Sequence, residues 1–185
     1  MGRRLRRRVV PGLLGVVVVG LALFTRGGTT MPSSYVMTGS SMAPTIGAGG
    51  WFVAGAQRGP LRRGQLVVVD LWIDDSLYHV LRRAVALAGD TARMAGGQLW
   101  INGRAALWPA QIVEPRAART LDGPIHGTLY DWGPVVVGAE SVFVLSDTRD
   151  MIGWPDSRFL GALPADRIRE RHVVTLRRGA VDRRW

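Results

Sequence analysis

From residue 35 onward, short runs of apolar residues alternate with turn-forming pairs such as Gly-Pro, Gly-Asp and Asn-Gly. Short strands at such spacing are typical of an antiparallel β domain, so the predicted fold class is all-β. No long amphipathic helix is predicted after residue 30, and residues 104–133, rich in Pro, Gly, Ala and Arg, are predicted to form an irregular insertion. The predicted strands are residues 35–37, 51–55, 65–73, 78–87, 98–103, 134–138, 141–146 and 171–176.

The N-terminal part of the chain has a different pattern. Residues 9–25 carry no charge and follow an arginine-rich tail over residues 1–8. An apolar helix needs about 17–25 residues to cross the hydrocarbon layer, and flanking positive charge stays on the cytoplasmic side. We therefore predict a transmembrane signal anchor with a cytoplasmic N-terminus, a linker over 26–34 and an extracytoplasmic domain over 35–185. A cleaved signal peptide is the alternative, but the apolar core is long for one and no Ala-x-Ala site follows it.

Composition and charge argue against several classes of protein. All 24 basic residues are arginines and the formal net charge is +10, but six arginines flank the apolar segment and the other 18 face 14 acidic residues. The scattered arginines form no basic face with aromatic platforms, so we predict no nucleic-acid partner. The chain contains no Cys, which excludes disulfides and thiolate metal sites. It also shows no metal-ligand spacing and no nucleotide-binding glycine loop, so we predict no metal and no cofactor.

Three segments carry the residues with catalytic potential. Residues 39–46 read Gly-Ser-Ser-Met-Ala-Pro-Thr-Ile, and residues 81–90 read Leu-Arg-Arg-Ala-Val-Ala-Leu-Ala-Gly-Asp. The third segment has Ser-Asp-Thr-Arg-Asp at 146–150 and Asp-Ser-Arg at 156–158. Taken singly, they are typical of a Ser/Pro turn, a hairpin and a surface ion-pair cluster of little energetic value.

Together and in this order, the segments resemble the type I signal peptidase family of bacterial leader peptidase-like serine proteases, and they are also similar to the conjugal-transfer pilin peptidases. That family's pattern is a membrane anchor, a Ser-Met-x-Pro-Thr box, a Lys-Arg-x-x-Gly-x-Pro-Gly-Asp box, then Gly-Asp-Asn-Arg and Asp-Ser-Arg. The resemblance implies a signal-peptidase-like antiparallel β domain behind one N-terminal transmembrane helix. It also implies that an extended substrate lies against strands at 35–40 and 80–87, with small residues before the cut.

The resemblance implies roles for individual residues. Ser41 matches the nucleophile that forms an acyl-enzyme, and its own N–H would supply part of the oxyanion hole. Gly39 falls where some members carry an additional Ser donor, and Arg82 falls at the position of the general-base Lys. Asp156 and Arg158 match a structural ion pair beneath the active site. The supporting positions in the matched boxes are Gly39, Met42, Pro44, Thr45, Asp147, Arg149, Asp156, Ser157 and Arg158.

The sequence departs from the family's pattern at several positions. A Lys can act as base when desolvation lowers its pKa, whereas Arg stays protonated and accepts no proton, so Arg82 is a severe change. Archaeal and endoplasmic-reticulum relatives use His there, but His79 lies three residues upstream, and an odd offset on a strand points to the opposite face unless a bulge intervenes. Ser146 and Thr148 replace the usual Gly and Asn. Residues 151–155 lack the Ser that often contacts the Lys.

Two functions from different classes stay open from the sequence. The leading one is a membrane-anchored signal peptidase I-type serine endopeptidase that removes signal peptides from exported precursors. The alternative is a catalytically impaired relative that acts as a peptide-binding or adaptor module, because Arg82 replaces the general base. A self-cleaving regulator is a weaker third, since no DNA-binding segment is present. The predicted partners are the precursor or its signal peptide and membrane lipid, and the sequence indicates no oligomeric state.

Overall fold

The structure, a computed structural model, describes residues 32–56, 59–108, 120–149 and 155–177. Most of the regular structure in these residues is β-strand, arranged in three antiparallel sheets. The predicted all-β class is therefore confirmed as a mostly β domain, with two short helices beside the sheets. The predicted anchor at 9–25 lies outside the described residues. No helix within them is long and apolar enough to span a membrane.

Twelve strands, numbered in chain order, occur in the described residues. They are β1 Ser33–Val36, β2 Trp51–Gly55, β3 Leu66–Ile73, β4 Ser76–Leu87, β5 Thr91–Ala95, β6 Gln98–Ile101, β7 Arg104–Ala105, β8 Trp132–Val136, β9 Ser141–Leu145, β10 Leu163–Pro164, β11 Ile168–Glu170 and β12 His172–Arg177. The helices are α1, Ser157–Leu160, and one turn of 3-10 helix, Ala165–Arg167. The sheet orders are β1-β2-β12, β10-β9-β4-β3-β11 and β7-β6-β5-β8.

The hairpin of β3 and β4 lies at the centre of the five-stranded sheet. β3 contains three consecutive valines, Val67, Val68 and Val69, and all three are buried, as expected for an apolar run covered on both faces. Asp74 and Asp75 connect the strands with positive φ angles of 47° and 59°. A two-residue hairpin loop of this kind matches the twist of the strands it joins, and Asp is among the residues that tolerate it.

β4 changes its partner along its length. One edge pairs with β3 without interruption, from Leu66 opposite Arg83 to Ile73 opposite Ser76. The other edge pairs with β9 only from Arg83 to Leu87, with a register shift between Ala84 and Ala86. Residues 76–82 therefore leave that edge without a described strand partner, and this open stretch forms one wall of the site described below.

The four-stranded sheet covers the main apolar core. Alternate residues of β5 and β6 point inward, and they pack with Phe143 and Leu145 of β9. Three buried residues of the segment that follows residue 119 pack into the same cluster, so this described part of the predicted insertion contributes to the core. These three residues are Leu121, Ile125 and Leu129.

Several strands differ from the sequence prediction for identifiable reasons. β5 was not predicted because its sequence, TARMA, is interrupted by Arg93 and contains no β-branched apolar residue. β7, β10 and β11 were not predicted because each has only two or three residues. β4 begins at Ser76 instead of residue 78. The turn at Asp74 and Asp75 is only two residues long, so pairing with β3 already starts at Ser76.

Candidate active site

Ser41 lies in the tight segment that connects β1 to β2. The next residue, Met42, forms an isolated antiparallel bridge with Ile46. Both side chains are completely buried and belong to the apolar cluster beneath the three-stranded sheet. Pro44 and Thr45 lie between these two residues, in the same turn as Ser41. The turn holds Ser41 at the rim of the apolar cluster with 5% of its surface exposed.

Thr148 fastens this turn to the end of the β9 segment. Its N–H donates to the Ser41 carbonyl oxygen at 3.0 Å. Its hydroxyl lies within hydrogen-bonding distance of two more carbonyl oxygens, those of Ser40 at 2.7 Å and Ala43 at 3.1 Å. From the sequence, Thr148 is recognisable only as a replacement for the usual Asn, and this role is not predicted. The available signal was its position directly after Asp147 in the third segment.

Arg82 lies next to the predicted nucleophile, at the position where the resemblance puts the base. Its Nη1 donates to Ser41 Oγ at 3.4 Å and to the Leu81 carbonyl oxygen at 2.7 Å, and its Nη2 donates to the Pro155 carbonyl oxygen at 3.3 Å. The side chain is 1% exposed. Because a guanidinium has only donors, this geometry hydrogen-bonds the serine oxygen and offers no acceptor for its proton.

His79 does not take the place of the missing base. The register between β3 and β4 is uninterrupted from residue 76 to residue 83, so no bulge changes the odd offset between His79 and Arg82, and their side chains project from opposite faces. His79 Nδ1 instead lies 2.7 Å from Oδ1 of Asp70, its cross-strand neighbour.

Arg83 forms a buried ion pair behind the nucleophile turn. Its Nε and Nη2 contact the two carboxylate oxygens of Asp147 at 2.8 and 2.5 Å. The Thr45 hydroxyl donates to the same carboxylate at 2.5 Å and accepts from Arg83 Nη2 at 3.0 Å. Arg83 was absent from the predicted site residues, although it follows Arg82 directly. This triad joins β4, the nucleophile turn and the β9 segment.

Asp156 and Arg158 form a second buried ion pair. Arg158 Nε and Nη2 contact the two oxygens of Asp156 at 3.0 and 2.8 Å, and the same carboxylate accepts from the N–H groups of Ser146 and Arg158. Asp156 thereby caps the N-terminus of α1. Arg158 Nη1 also donates to the Arg149 carbonyl oxygen. The pair therefore holds Ser146 and Arg149 next to α1.

Ser157 and Arg149 complete the fastening of this region. Ser157 Oγ accepts from the Val144 N–H at 2.9 Å, which attaches α1 to β9. Arg149 Nη1 donates to the Ser146 carbonyl oxygen at 2.8 Å. Burial lowers the pKa of Arg149 to about 10, and the charge of Asp147 partly offsets that effect.

Burial and neighbouring charges shift the pKa values of this buried network. Burial alone would raise the pKa of Asp156, but the charge and hydrogen bonds of Arg158 outweigh it and hold the pKa well below its usual range. Burial lowers the pKa of Arg82, and the charge of Asp156 partly offsets this effect. Among the described residues, the network contains four buried arginines and two buried aspartates, namely Arg82, Arg83, Arg149 and Arg158 with Asp147 and Asp156.

A groove of about 410 Å³ leads to Ser41. β1 and the residues that follow it form one wall, and the open stretch of β4 from Tyr78 to Arg82 forms the other. The lining is mainly apolar and includes Val36, Phe52 and Leu81. β1 is an edge strand of its sheet, so both walls present main-chain groups suited to pairing with an extended peptide.

The groove differs in one respect from the sequence prediction. Segments 35–40 and 80–87 were predicted to flank the substrate. Residues 83–87 of β4 pair with β9 instead, so the open wall comprises residues 78–82.

Gly39 lines the groove beside Ser41. A Cβ atom placed on Gly39 would meet no other atom within 4 Å. The position is therefore sterically open to the Ser that some relatives carry. Among the described residues, no group of three or more His, Asp or Glu side chains is placed to hold a metal ion.

Ser41 lines a groove between two strand edges that have no strand partner among the described residues, and such a site can hold a peptide extended across the hydroxyl, as in a peptidase. The chain belongs to the signal peptidase family, peptidase S26, whose family model matches residues 8–176.

Individual relatives agree with this family. The chain is 34% identical over 157 residues to signal peptidase I T of Bacillus subtilis (strain 168), a match that covers 83% of this chain and 77% of that protein. It is 33% identical over 137 residues to signal peptidase I of Bacillus licheniformis, covering 72% and 70% respectively. These matches confirm the prediction of a signal peptidase I-type serine endopeptidase.

Among solved structures, a signal peptidase I from Enterococcus faecalis V583 aligns with a TM-score of 0.41 at 18% identity, over 62% of this chain and 97% of that one. This likeness is too weak to bear on the arrangement of the site.

Proposed function

We propose that the chain removes signal peptides from exported precursors as a membrane-anchored serine endopeptidase, with Ser41 as the nucleophile. One observation carries the proposal. Ser41 lines a groove between two strand edges that are open in the described part of the chain, in a turn fixed by Met42, Ile46 and Thr148. A predicted anchor would bring the groove to the membrane surface, where a precursor is held by its own apolar segment.

The reaction follows from this placement. A precursor in extended conformation pairs with β1 and with residues 78–82 of β4, which brings its scissile carbonyl to Ser41. Ser41 Oγ bonds to the carbonyl carbon, the peptide nitrogen leaves with a proton, and water then hydrolyses the ester to free the signal peptide as an acid. The resemblance to the family implies small residues immediately before the cut.

Arg82 determines where the serine proton goes. Because a guanidinium accepts no proton at neutral pH, the Ser41 proton passes to hydroxide or water in the groove. The positive charge of Arg82, 3.4 Å from Oγ, stabilises the serine alkoxide and the oxyanion that forms from the carbonyl. This role replaces general-base catalysis, which is typically worth about 10²–10⁴-fold in rate, so we expect slow cleavage.

The second candidate function is a peptide-binding module without proteolysis. The hydrogen bond from Arg82 Nη1 to Ser41 Oγ favours it, because the bond stabilises the serine in its resting state and supplies no base. The groove and its open strand edges serve binding equally well in this case.

The decisive experiment measures cleavage of a membrane-inserted precursor with an Ala-x-Ala site by the full chain in lipid. The variants are Ser41→Ala, Arg82→Lys and, as a matched serine control, Ser76→Ala, which changes an exposed residue at the start of β4. We expect slow cleavage by the native chain and by Ser76→Ala, none by Ser41→Ala, and faster cleavage by Arg82→Lys.

Two other results would change the conclusion. If the native chain binds the precursor without cutting it and Arg82→Lys cuts, the binding module is the function of the native chain. If Ser41→Ala cuts as fast as the native chain, Ser41 is not the nucleophile and the proposal is wrong.

A further inference from the structure

Another cavity, of about 420 Å³, lies outside the groove. It is formed by the turn that precedes β3 and by the connection from β11 into β12. Three of the described residues that line it are arginines, Arg62, Arg63 and Arg171, and none is acidic. We propose that this cavity binds a phosphate group, carried either by a lipid headgroup or by a free phosphate compound.

Charge is the first argument. Arg63 pairs through Nε and Nη2 with the two carboxylate oxygens of Asp90. Arg62 and Arg171 have no carboxylate partner among the described residues. Two guanidiniums at this cavity are therefore open to an anion, and a phosphate monoester carries about two negative charges at neutral pH.

The number of arginines is the second argument. Asp147 and Asp156 each form their ion pair with one arginine, because a planar carboxylate fits the fork of a single guanidinium. The oxygens of a phosphate point in more directions, so guanidiniums from two segments of the chain can contact it from different sides. The lining therefore suits a phosphate better than a carboxylate.

Contacts that fix the walls of the cavity are the third argument. Gln65 Nε2 donates to the Arg171 carbonyl oxygen at 2.7 Å, and Gln65 Oε1 accepts from the Arg62 N–H at 3.2 Å. The Gln65 side chain thereby joins the two segments that carry the arginines. The Gly64 N–H donates to the Ala84 carbonyl oxygen at 2.7 Å, which attaches the turn to β4. A site with such fixed walls needs little reorganisation to bind its ligand.

The rest of the lining indicates what the phosphate is attached to. Leu66 and Val173 add apolar surface beside the arginines. The volume of the cavity leaves room for an organic group next to the phosphate. A phosphate ester, such as the glycerol phosphate of a lipid or a soluble compound of the same chemistry, therefore fits better than an inorganic ion.

The test uses two probes with the same phosphate monoester. One is glycerol 3-phosphate, and the other is dihexanoyl phosphatidic acid below the concentration at which it forms micelles. Calorimetry on the full chain in a nonionic detergent and a phosphate-free buffer at neutral pH gives the dissociation constants, with acetate as the carboxylate control. We expect both probes to bind at least about tenfold more tightly than acetate, because they offer more acceptor oxygens and more charge.

The comparison of the two probes identifies the source of the phosphate. Tighter binding of the lipid would assign the site to a lipid headgroup, and equal binding would assign it to a free phosphate compound. Failure of both probes to bind would overturn the inference. Acetate that binds as tightly as the probes would overturn it as well.

Variants locate the binding. Arg62→Gln removes an exposed guanidinium that has no described side-chain contact, so the fold should persist while both probes bind about tenfold more weakly. Arg171→Gln should have a similar effect. Arg104→Gln, which changes an exposed arginine of β7, is the matched control and should leave the constants unchanged. Equal weakening by Arg104→Gln, or no weakening by Arg62→Gln and Arg171→Gln, would show a general attraction to a basic surface and contradict the site.

The outcome is independent of the proposed function. No described residue lines both this cavity and the groove. A chain that binds the probes and cuts no precursor keeps the phosphate site and loses the peptidase. A chain that cuts precursor and binds neither probe keeps the peptidase and loses the phosphate site.

Discussion

Arg82 and Arg83 are neighbours on β4, yet they belong to two different environments. Arg83 points away from the groove and meets Asp147 and Thr45 in a complete ion pair. Arg82 points to the groove, and the acceptors described for it are neutral oxygens of Ser41, Leu81 and Pro155. The same residue type therefore stabilises the scaffold on one face of the strand and places a guanidinium beside Ser41 on the other. The difference separates the part of the molecule that maintains the fold from the part that binds and reacts.

The largest expected effect is on the groove face. Arg82→Lys should raise the rate of precursor cleavage by about 10²–10⁴-fold, because burial lowers the pKa of an amine and makes it a usable base. The native rate should instead rise about tenfold per pH unit across the neutral range, because the proton acceptor is hydroxide, whereas the variant should reach a plateau. Rate profiles from pH 6 to 10 on the same precursor check both. A plateau in the native profile would show that another group is the base.

The next largest effect is the difference in stability between variants of Arg83 and variants of Arg82. Arg83→Met leaves the Asp147 carboxylate buried without its partner and should lower the free energy of unfolding by about 3–5 kcal/mol. Arg82→Met removes a buried charge whose described acceptors are neutral oxygens, so it leaves no described carboxylate without its partner. It should change this free energy by less than about 1 kcal/mol in either direction. Urea unfolding of the two variants in parallel checks the contrast. Equal losses would mean that Arg82 is as much a part of the scaffold as Arg83.

A smaller effect is expected at Thr148, which connects the Ser41 turn to the residues that follow β9. Thr148→Val removes the hydroxyl that lies near the Ser40 and Ala43 carbonyl oxygens, while the main-chain bond to Ser41 can persist. The unfolding free energy should fall by about 1–3 kcal/mol, and cleavage should slow because the turn loosens. Thr148→Ser is the matched control and should retain most of both. An unchanged rate in Thr148→Val would show that the turn is fixed without the hydroxyl.

The smallest effect is expected for the ion pair of Arg63 with Asp90. Hydrogen bonds from the half-exposed Arg63 are the main reason that the pKa of Asp90 falls to about 2. A folded pKa below the ordinary value stabilises the native state above about pH 4, and this contribution disappears as the pH falls toward 2. Asp90→Asn should remove about 1–2 kcal/mol of this pH dependence. Urea unfolding at pH 5, 3.5 and 2.5 measures it. Equal pH slopes in variant and native chain would contradict the assignment.

The sequence predicts the parts of the molecule that depend on local pattern. The long runs of β3, β4 and β9 are identified correctly as strands. The turn that holds Ser41 is also predicted. The ion pair of Arg83 with Asp147 joins residues 64 positions apart. The periodicity of a sequence gives no information on contacts at such a separation. Thr148 is similar, because its acceptors lie more than 100 positions away. What the sequence could predict about Arg82 was its inability to act as a base, and what it could not predict was the charge of its surroundings.

The divided pairing of β4 has a consequence for where a bound peptide is cut. Residues 83–87 are locked to β9 in the core, and the open residues 78–82 continue the same strand. The core therefore fixes the register of any peptide that adds to this edge. Sliding the peptide by one residue would turn all of its side chains to the wrong face, whereas sliding it by two restores the alternation. If cleavage occurs at a second position, that position should therefore lie two residues from the main site and not one residue from it.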